Sequence, residues 1–304
     1  MSLLVLSERD VEQLLTMEEC IEAMADVLAA LARGELYQPL RFVLRPPDAA
    51  GLMGFMPAHR GGAGGAFSLK EIVVVPGNPA RGLDAHQGGV LLHDGETGQL
   101  RALLNASPIT AIRTAAVSAV ATRALARPGA RTVAIIGTGV QGKAHAEAMR
   151  AVLDEPEIRM WSRRTGGSAE DAVSGADVVC ACTTSPEPVV RREWLAPGAH
   201  VNAVGASVPS ARELDEETIR AATLVVDRRE SALNESGELL IPGLGEERIA
   251  AELGEVLTGT HPGRTSDDEL TVFKSLGLAV EDLAAAELVV RRAREQGAGV
   301  EVEF

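Results

Sequence analysis

The stretch Thr132-Val133-Ala134-Ile135-Ile136-Gly137-Thr138-Gly139-Val140-Gln141-Gly142 constrains this chain more than any other. A β-branched apolar run feeds straight into a complete G-x-G-x-x-G, and a helical pattern from Lys143 to Leu153 follows. Strand, glycine loop and helix in that order form a dinucleotide-binding arrangement and imply an α/β fold with a doubly wound parallel sheet. Gly137 permits the sharp turn off the strand, Gly139 lets the backbone approach a pyrophosphate, and Gly142 lets the helix pack on the sheet. Thr138, Val140 and Gln141 complete the loop. The phosphates would rest on the helix N-terminus, whose unpaired N–H groups and dipole favour an anion.

With 304 residues, 46% of them hydrophobic, the chain has enough material for two domains with their own cores. A net charge of -14 opposes a nucleic-acid partner, and 3% aromatic residues leave little for base stacking. No apolar run approaches the length of a membrane span, and the opening Met1 to Leu6 lacks a basic leader and is too short for a signal peptide. Three cysteines, which cannot all pair, make a reducing cytoplasm the expected setting. Cys20, Cys180 and Cys182 match no zinc spacing, and His59, His86 and His145 add none, so no metal is expected. Cys180 and Cys182 read as small core residues.

Along the chain, residues 1 to 6 read as a strand, and Ser7-x-x-Asp10 and Thr16-x-x-Glu19 as consecutive helix starts. From Arg41 to Asn105 the pattern turns to short strands: Arg41 to Arg45, Gly51 to Met56, Phe67 to Val75, Gly88 to His93 and Gln99 to Asn105. An Ala-rich helix, Ile109 to Ala126, then leads to the glycine loop. Ile158 to Trp161, Ala176 to Thr183, His200 to Val204 and Thr223 to Asp227 read as further strands, their continuous apolar character suiting a sheet covered on both faces. Between Arg164 and the helix start at Ser168 there is room for neither a helix nor a strand, so the sheet is expected to lack one edge strand and its helix. Leu278 to Arg294 is a helix stopped at Gly297, and Val300 to Phe304 a strand that must pair within the N-terminal part. The expected organisation is an α+β domain of residues 1–108 and 297–304, and a Rossmann-type domain of 109–296.

The second strand of the dinucleotide fold ends in Ser162-Arg163-Arg164-Thr165, where NAD-preferring folds place an acidic residue. Two guanidiniums and two hydroxyls suit a 2′-phosphate, which favours NADPH over NADH. Lys70 lies in the largely apolar Phe67 to Val75 strand, where it reads equally as an ordinary lysine facing solvent or, if buried, as a group of adjustable charge suited to hydrogen bonding or proton donation.

Gln38-Pro39-Leu40-Arg41, Gly54-Phe55-Met56-Pro57-Ala58, Ile109 to Ala119, His200-Val201-Asn202-Ala203-Val204-Gly205-Ala206-Ser207 and Thr271-Val272-Phe273-Lys274-Ser275-Leu276-Gly277 together resemble the ornithine cyclodeaminase/mu-crystallin family nearly end to end. The resemblance implies a homodimer, with a substrate and dimerisation domain and a Rossmann domain. It also implies that Arg41, Lys70 and Arg113 surround an amino or imino acid, and that Thr114, Thr183, Val204, Gly205 and Leu276 join the nucleotide site. Arg113 would offer a guanidinium fork to a carboxylate.

Two departures bear on the activity. Cyclodeaminating members carry a Glu where this chain has Gly54, and they and the alanine dehydrogenases carry an Asp where it has Ser207. Oxidising ornithine and closing its ring needs a base to move protons, whereas reducing a preformed imine asks for positioning and one proton donor. The pattern therefore resembles the ketimine reductase branch, with reduction of a cyclic imino acid such as pyrroline-2-carboxylate or piperideine-2-carboxylate as the expected reaction. An NAD-dependent cyclodeaminase, an amino-acid dehydrogenase, and a non-catalytic protein binding NADPH and a small carboxylate remain open. His86 is a candidate contact near Lys70, Asp227 is either a site support or a turn cap, and Ser236-Gly237-Glu238 has no assigned chemistry.

Overall fold

A computed structural model describes residues 2–304; Met1, the first residue of the expected opening strand, lies outside them. The elements run β1 (Ser2–Leu6), α1 (Glu8–Leu14), α2 (Met17–Ala32), β2 (Leu36–Tyr37), β3 (Phe42–Leu44), β4 (Leu52–Arg60), β5 (Ala66–Val74), β6 (His86–Asp94), β7 (Leu100–Asn105) and α3 (Ala106–Leu125). They continue with β8 (Thr132–Ile136), α4 (Val140–Val152), β9 (Glu157–Trp161), α5 (Ala169–Val173), β10 (Val178–Ala181), β11 (His200–Ala203), α6 (Glu216–Ala221) and β12 (Thr223–Val226). Last come α7 (Arg229–Glu235), α8 (Gly237–Leu240), β13 (Ile249–Glu252), α9 (Leu253–Leu257), β14 (Thr271–Lys274), α10 (Ala279–Gln296) and β15 (Val300–Glu303).

The chain forms two compact units, one of residues up to Arg113 together with Leu278–Phe304, the other Thr114–Gly277. This differs from the expected boundaries at 108 and 297, because α10 packs on α2 and on β4, β5 and β6. Its amphipathic pattern closes the N-terminal core. Helix α3 starts earlier than expected, at Ala106, with Pro108 in its first turn, where a missing N–H breaks no hydrogen bond.

In the first unit the sheet runs β15-β1-β7-β6-β5-β4-β2, with β3 added on β4. The pairings are antiparallel except β1 with β7, and the terminal strand β15 pairs with β1. Register fixes which residues share a face. Leu6, Leu104, Val90, Lys70 and Met56 stand in one cross-strand row on the buried face. Val5, Leu103, Leu91, Leu69 and Pro57 form the adjacent row on the opposite face, none of them fully buried.

The second unit holds a seven-stranded sheet in the order β13-β12-β14-β11-β10-β8-β9, parallel throughout. Strand order reverses between β8 and β10, the switch point at which doubly wound sheets take dinucleotides. Strand β9 ends the sheet; the chain turns directly into the short α5, so the edge strand is absent as expected. This uncovered edge is five residues long and carries the Arg159–Glu157 ion pair, features that discourage further pairing. Strands β13 and β14 were not anticipated. Among the described residues no helix is long and apolar enough to cross a membrane.

Candidate active site

The second unit presents the glycine loop. Gly137 has φ 121°, and a Cβ there would run into the Cys182 carbonyl. A Cβ on Gly142 would strike the Gly137 carbonyl, so this glycine sets the close approach of α4 to the strand. Gly139 is different: nothing lies within 4 Å of its missing Cβ. It forms the N-cap of α4, and no side chain caps the first-turn N–H groups. Thr138 is half-buried, Gln141 likewise, and Val140 is 65% exposed. A nucleotide pyrophosphate fits this cradle on backbone grounds alone.

At the end of β9, Thr165 Oγ1 accepts from Ser162 N at 2.9 Å and donates to Ser162 O at 2.8 Å, folding 162–165 into a tight turn. Arg163 donates to Ser185 Oγ at 3.3 Å, and both Arg163 and Arg164 are exposed. Ser162 Oγ and Trp161 Nε1 are buried without a partner in the protein. Orphaned polar atoms beside two arginines are what a ribose or phosphate would satisfy.

The loops after β10 and β11 rest on charges that sequence reasoning did not single out. Glu213, fully buried, accepts from Thr183 N at 2.6 Å, Thr183 Oγ1 at 2.8 Å and Gly205 N at 2.5 Å. Burial pushes its pKa up, against the pull of Lys274 and these three donors. Lys274, also buried, donates to Ala206 O at 2.5 Å and pairs with Glu238 at 3.2 Å. Val204 is buried, Gly205 and Ser207 are half-buried, and Thr114 and Leu276 are buried within this unit. Asp227 accepts from the backbone N–H of Leu276 at 2.6 Å and Gly277 at 2.9 Å, so it holds the segment after β14. His145 bonds Gln141 O and Ser118 Oγ, and burial lowers its pKa to about 4, so it stays neutral and structural.

The first unit carries the charged cluster. Lys70 is 1% exposed, and its Nζ lies 2.9 Å and 2.8 Å from the two carboxylate oxygens of Asp282. Arg113, 4% exposed, donates from Nε to the same Asp282 at 3.0 Å and from Nη1 to Glu281 at 2.7 Å. Glu281 and Asp282 open α10, whose placement here brings two carboxylates beneath two cations. The guanidinium expected to face substrate with a full fork thus has two of its nitrogens engaged by the protein. Burial pushes the Lys70 ammonium down to about 8; Asp282 opposes this, and Arg113 and Arg41 add to it. Arg41 is half-buried on the segment before β3. His86, at the start of β6 with a solvent-exposed surface, is disfavoured as a cation by crowding first and then by Lys70 and Arg113.

Gly54 lies on the Lys70 face of β4, two residues from Met56, and a Cβ there would meet only Ile72, at 3.6 Å. This position, which is buried, can take a Cβ but carries no carboxylate. Among the described residues no group of three His, Cys, Asp or Glu side chains has a metal-holding arrangement.

The model of the ornithine cyclodeaminase/mu-crystallin family matches residues 1–297. The chain belongs to that family. It is 43% identical over 272 residues to the ketimine reductase mu-crystallin of Mus musculus, covering 84% of this chain and 85% of that protein. It is 38% identical over 327 residues to a delta(1)-pyrroline-2-carboxylate reductase of Bacillus cereus, covering 99% and 100%. That alignment is longer than the 304 residues of this chain, so the relative carries positions that this family member lacks. The structure of the Thermococcus litoralis delta(1)-pyrroline-2-carboxylate reductase, in complex with NADH and L-proline, superposes with a TM-score of 0.93 at 35% identity, covering 98% of this chain and 100% of that one.

Proposed function

We propose that this protein is an NAD(P)H-dependent reductase of cyclic 2-imino acids, with pyrroline-2-carboxylate and piperideine-2-carboxylate as first substrates to test and NADPH as the preferred cofactor. The observation that carries the reading is Lys70: a buried ammonium held on Asp282 beside Arg113, with a pKa near 8, on a face lacking any second carboxylate at Gly54. Such a group gives up a proton near neutral pH. The relatives' printed activities, ketimine reduction and pyrroline-2-carboxylate reduction, are of this class.

When bound, the nicotinamide supplies hydride. The protein's part is to hold and charge the imine. Arg113 and Arg41 give the first unit the positive field that attracts a carboxylate, and α10 keeps Arg113 from rotating away. Lys70 Nζ donates a proton to the imine nitrogen, making its carbon electrophilic; hydride addition to that carbon would then give the secondary amine, whose N–H is the proton that Lys70 gave up. Neither Gly54 nor Ser207 can serve as the base that ornithine cyclodeamination needs. The preference for NADPH rests on Ser162, Arg163, Arg164 and Thr165, with no acidic residue in that turn.

The test is NADPH oxidation with each imine, wild type against Arg113→Lys, which keeps the charge but alters the donor geometry. Turnover by wild type and a raised KM in the variant support the reading. Nucleotide binding with no turnover of any cyclic imine, or ammonia release from ornithine without net NADH formation, overturns it.

The half-exposed row Val5, Leu103, Leu91, Leu69 and Pro57 further supports a homodimer formed over this sheet face, since a continuous apolar stripe across five strands is costly in water. Leu103→Asp should yield monomers in sedimentation; an unchanged mass would sink the dimer assignment.

A further inference from the structure

Glu213 belongs to no part of the glycine loop, yet its carboxylate ties together the segments leaving two adjacent strands. One oxygen accepts from Thr183 N and Oγ1, beyond β10, and the other from Gly205 N, beyond β11. The two segments touch so closely that a Cβ on Gly205 would run into the Thr183 backbone. The Glu213 backbone is itself fixed, its carbonyl accepting from Val189 N at 2.8 Å and Val190 N at 3.0 Å and its N–H donating to Glu238 at 3.0 Å. Glu238 in turn takes Ser236 Oγ at 3.1 Å and Lys274 Nζ at 3.2 Å, and Lys274 reaches Ala206 O. All three charged side chains are no more than 1% exposed. Every carboxylate oxygen in this chain of contacts has a donor, as buried polar groups require.

The location gives the network a purpose. In a doubly wound sheet each side of the switch point takes one mononucleotide half. Here β8 and β9, with the glycine loop and the 162–165 turn, make the adenosine half. The other side begins at β10 and β11, whose exit segments are the two that Glu213 joins. We propose that Glu213, backed by Glu238 and Lys274, is a positioning residue for the nicotinamide half of the cofactor: it sets the spacing of Thr183 and Gly205 and leaves the adenosine half untouched. The inference rests on reading the second unit as a dinucleotide site.

The role separates from simple structural support by dissecting the ligand. Glu213→Gln keeps the shape but brings an amide donor against the N–H of Thr183 or Gly205, so one bond is lost. Calorimetric Kd values for NADPH, NADH and ADP on the intact protein are the readout, alongside Tm. The expected result is a roughly tenfold or greater loss of affinity for NADPH or NADH, as follows from losing a hydrogen bond to a charged group, with ADP affinity unchanged. Thr183→Val, which removes the hydroxyl that donates to Glu213 and accepts from Ser185 N but leaves the backbone bonds to Glu213 in place, should weaken NADPH or NADH binding in the same direction by less; it stands in if Glu213→Gln fails to fold. Equal losses for ADP and dinucleotide, or no loss for either, overturn the inference alone. Wild type that binds ADP but neither dinucleotide overturns the dinucleotide reading and the inference with it.

Discussion

The glycine loop of the second unit and the charged cluster of the first are both candidate binding surfaces made from opposite materials. In the loop the working groups are backbone N–H groups, and side chains matter chiefly by being absent, at Gly137, Gly139 and Gly142. In the cluster the working groups are side-chain charges, and the backbone only delivers them. Lys70 and Asp282 are separated by 212 residues, Arg113 and Glu281 by 168. A site made of backbone must be contiguous, because neighbouring amides have to point at one ligand. A site made of charges is assembled wherever the fold brings partners together. The first should tolerate changes of charge and fail on an added methyl; the second should tolerate shape and fail on a lost charge.

The largest effect is expected at Lys70. Lys70→Met keeps length and apolar packing but removes the ammonium, and should lower kcat about 10²- to 10⁴-fold, the usual worth of a general acid, with nucleotide Kd unchanged. Steady-state kinetics with the reactive imine reads this directly. A kcat within a few-fold of wild type would remove Lys70 from proton transfer and make the cluster a binding site only.

Next comes Asp282, which holds Lys70 charged against burial. Lys70 must be protonated to donate, so activity should be present below its pKa and fall as pH rises through about 8. Asp282→Asn removes the opposing charge, so that limb should move to lower pH. Breaking a buried pair should also cost about 3–5 kcal/mol of stability, readable by denaturant titration. Stability itself should rise with pH from about 8 to 10.5 on account of Lys70, because in that window the unfolded chain holds a proton that the folded one does not. A kcat profile with its alkaline limb unmoved in Asp282→Asn would show that Lys70 is not the titrating donor.

What the sequence revealed follows the same division. The strand, loop and helix around Gly137 were legible, as were β10 to β12, because buried parallel strands are largely apolar runs. Lys70 was not decided by the residues alone, since with Ser68 and Glu71 in the same strand it reads equally as a lysine facing solvent; the family resemblance is what pointed to it. Glu281 and Asp282 were not: acidic residues in a first helical turn usually serve the dipole from the surface. The apolar run Leu276-Gly277-Leu278-Ala279-Val280 just before them was the available clue to their burial. Lys274 and Glu213 were not singled out, one closing β14 and the other lying in an irregular loop. The assignment of α10 to the first unit also depended on packing alone, since its sequence fits either unit.

The loop side of the comparison is sharpened by two glycines. Gly142→Ala forces a methyl against the Gly137 carbonyl, and overpacking of this kind costs roughly 1–3 kcal/mol, seen as a lower Tm and about a tenfold to hundredfold weaker nucleotide. Gly139→Ala meets nothing in the protein, so Tm should hold while nucleotide affinity falls. Unchanged affinity in Gly139→Ala would mean that no phosphate approaches the loop at that point.

The smallest effect belongs to the turn at the uncovered sheet edge. Arg163 and Arg164 are exposed, and Arg163 makes one long contact, to Ser185 Oγ at 3.3 Å, so solvent screens whatever they offer a phosphate. Replacing both by Ala should therefore weaken NADPH by only about tenfold, the lower end of what hydrogen bonds to a charged group contribute. NADH, lacking the 2′-phosphate, should be unaffected, and Kd values for the two cofactors in 0.1 M salt provide the comparison. This turn mixes the two constructions, with backbone geometry fixed by Thr165 and charge supplied by arginines. Equal losses for both cofactors would assign it to the backbone class and remove the basis for an NADPH preference.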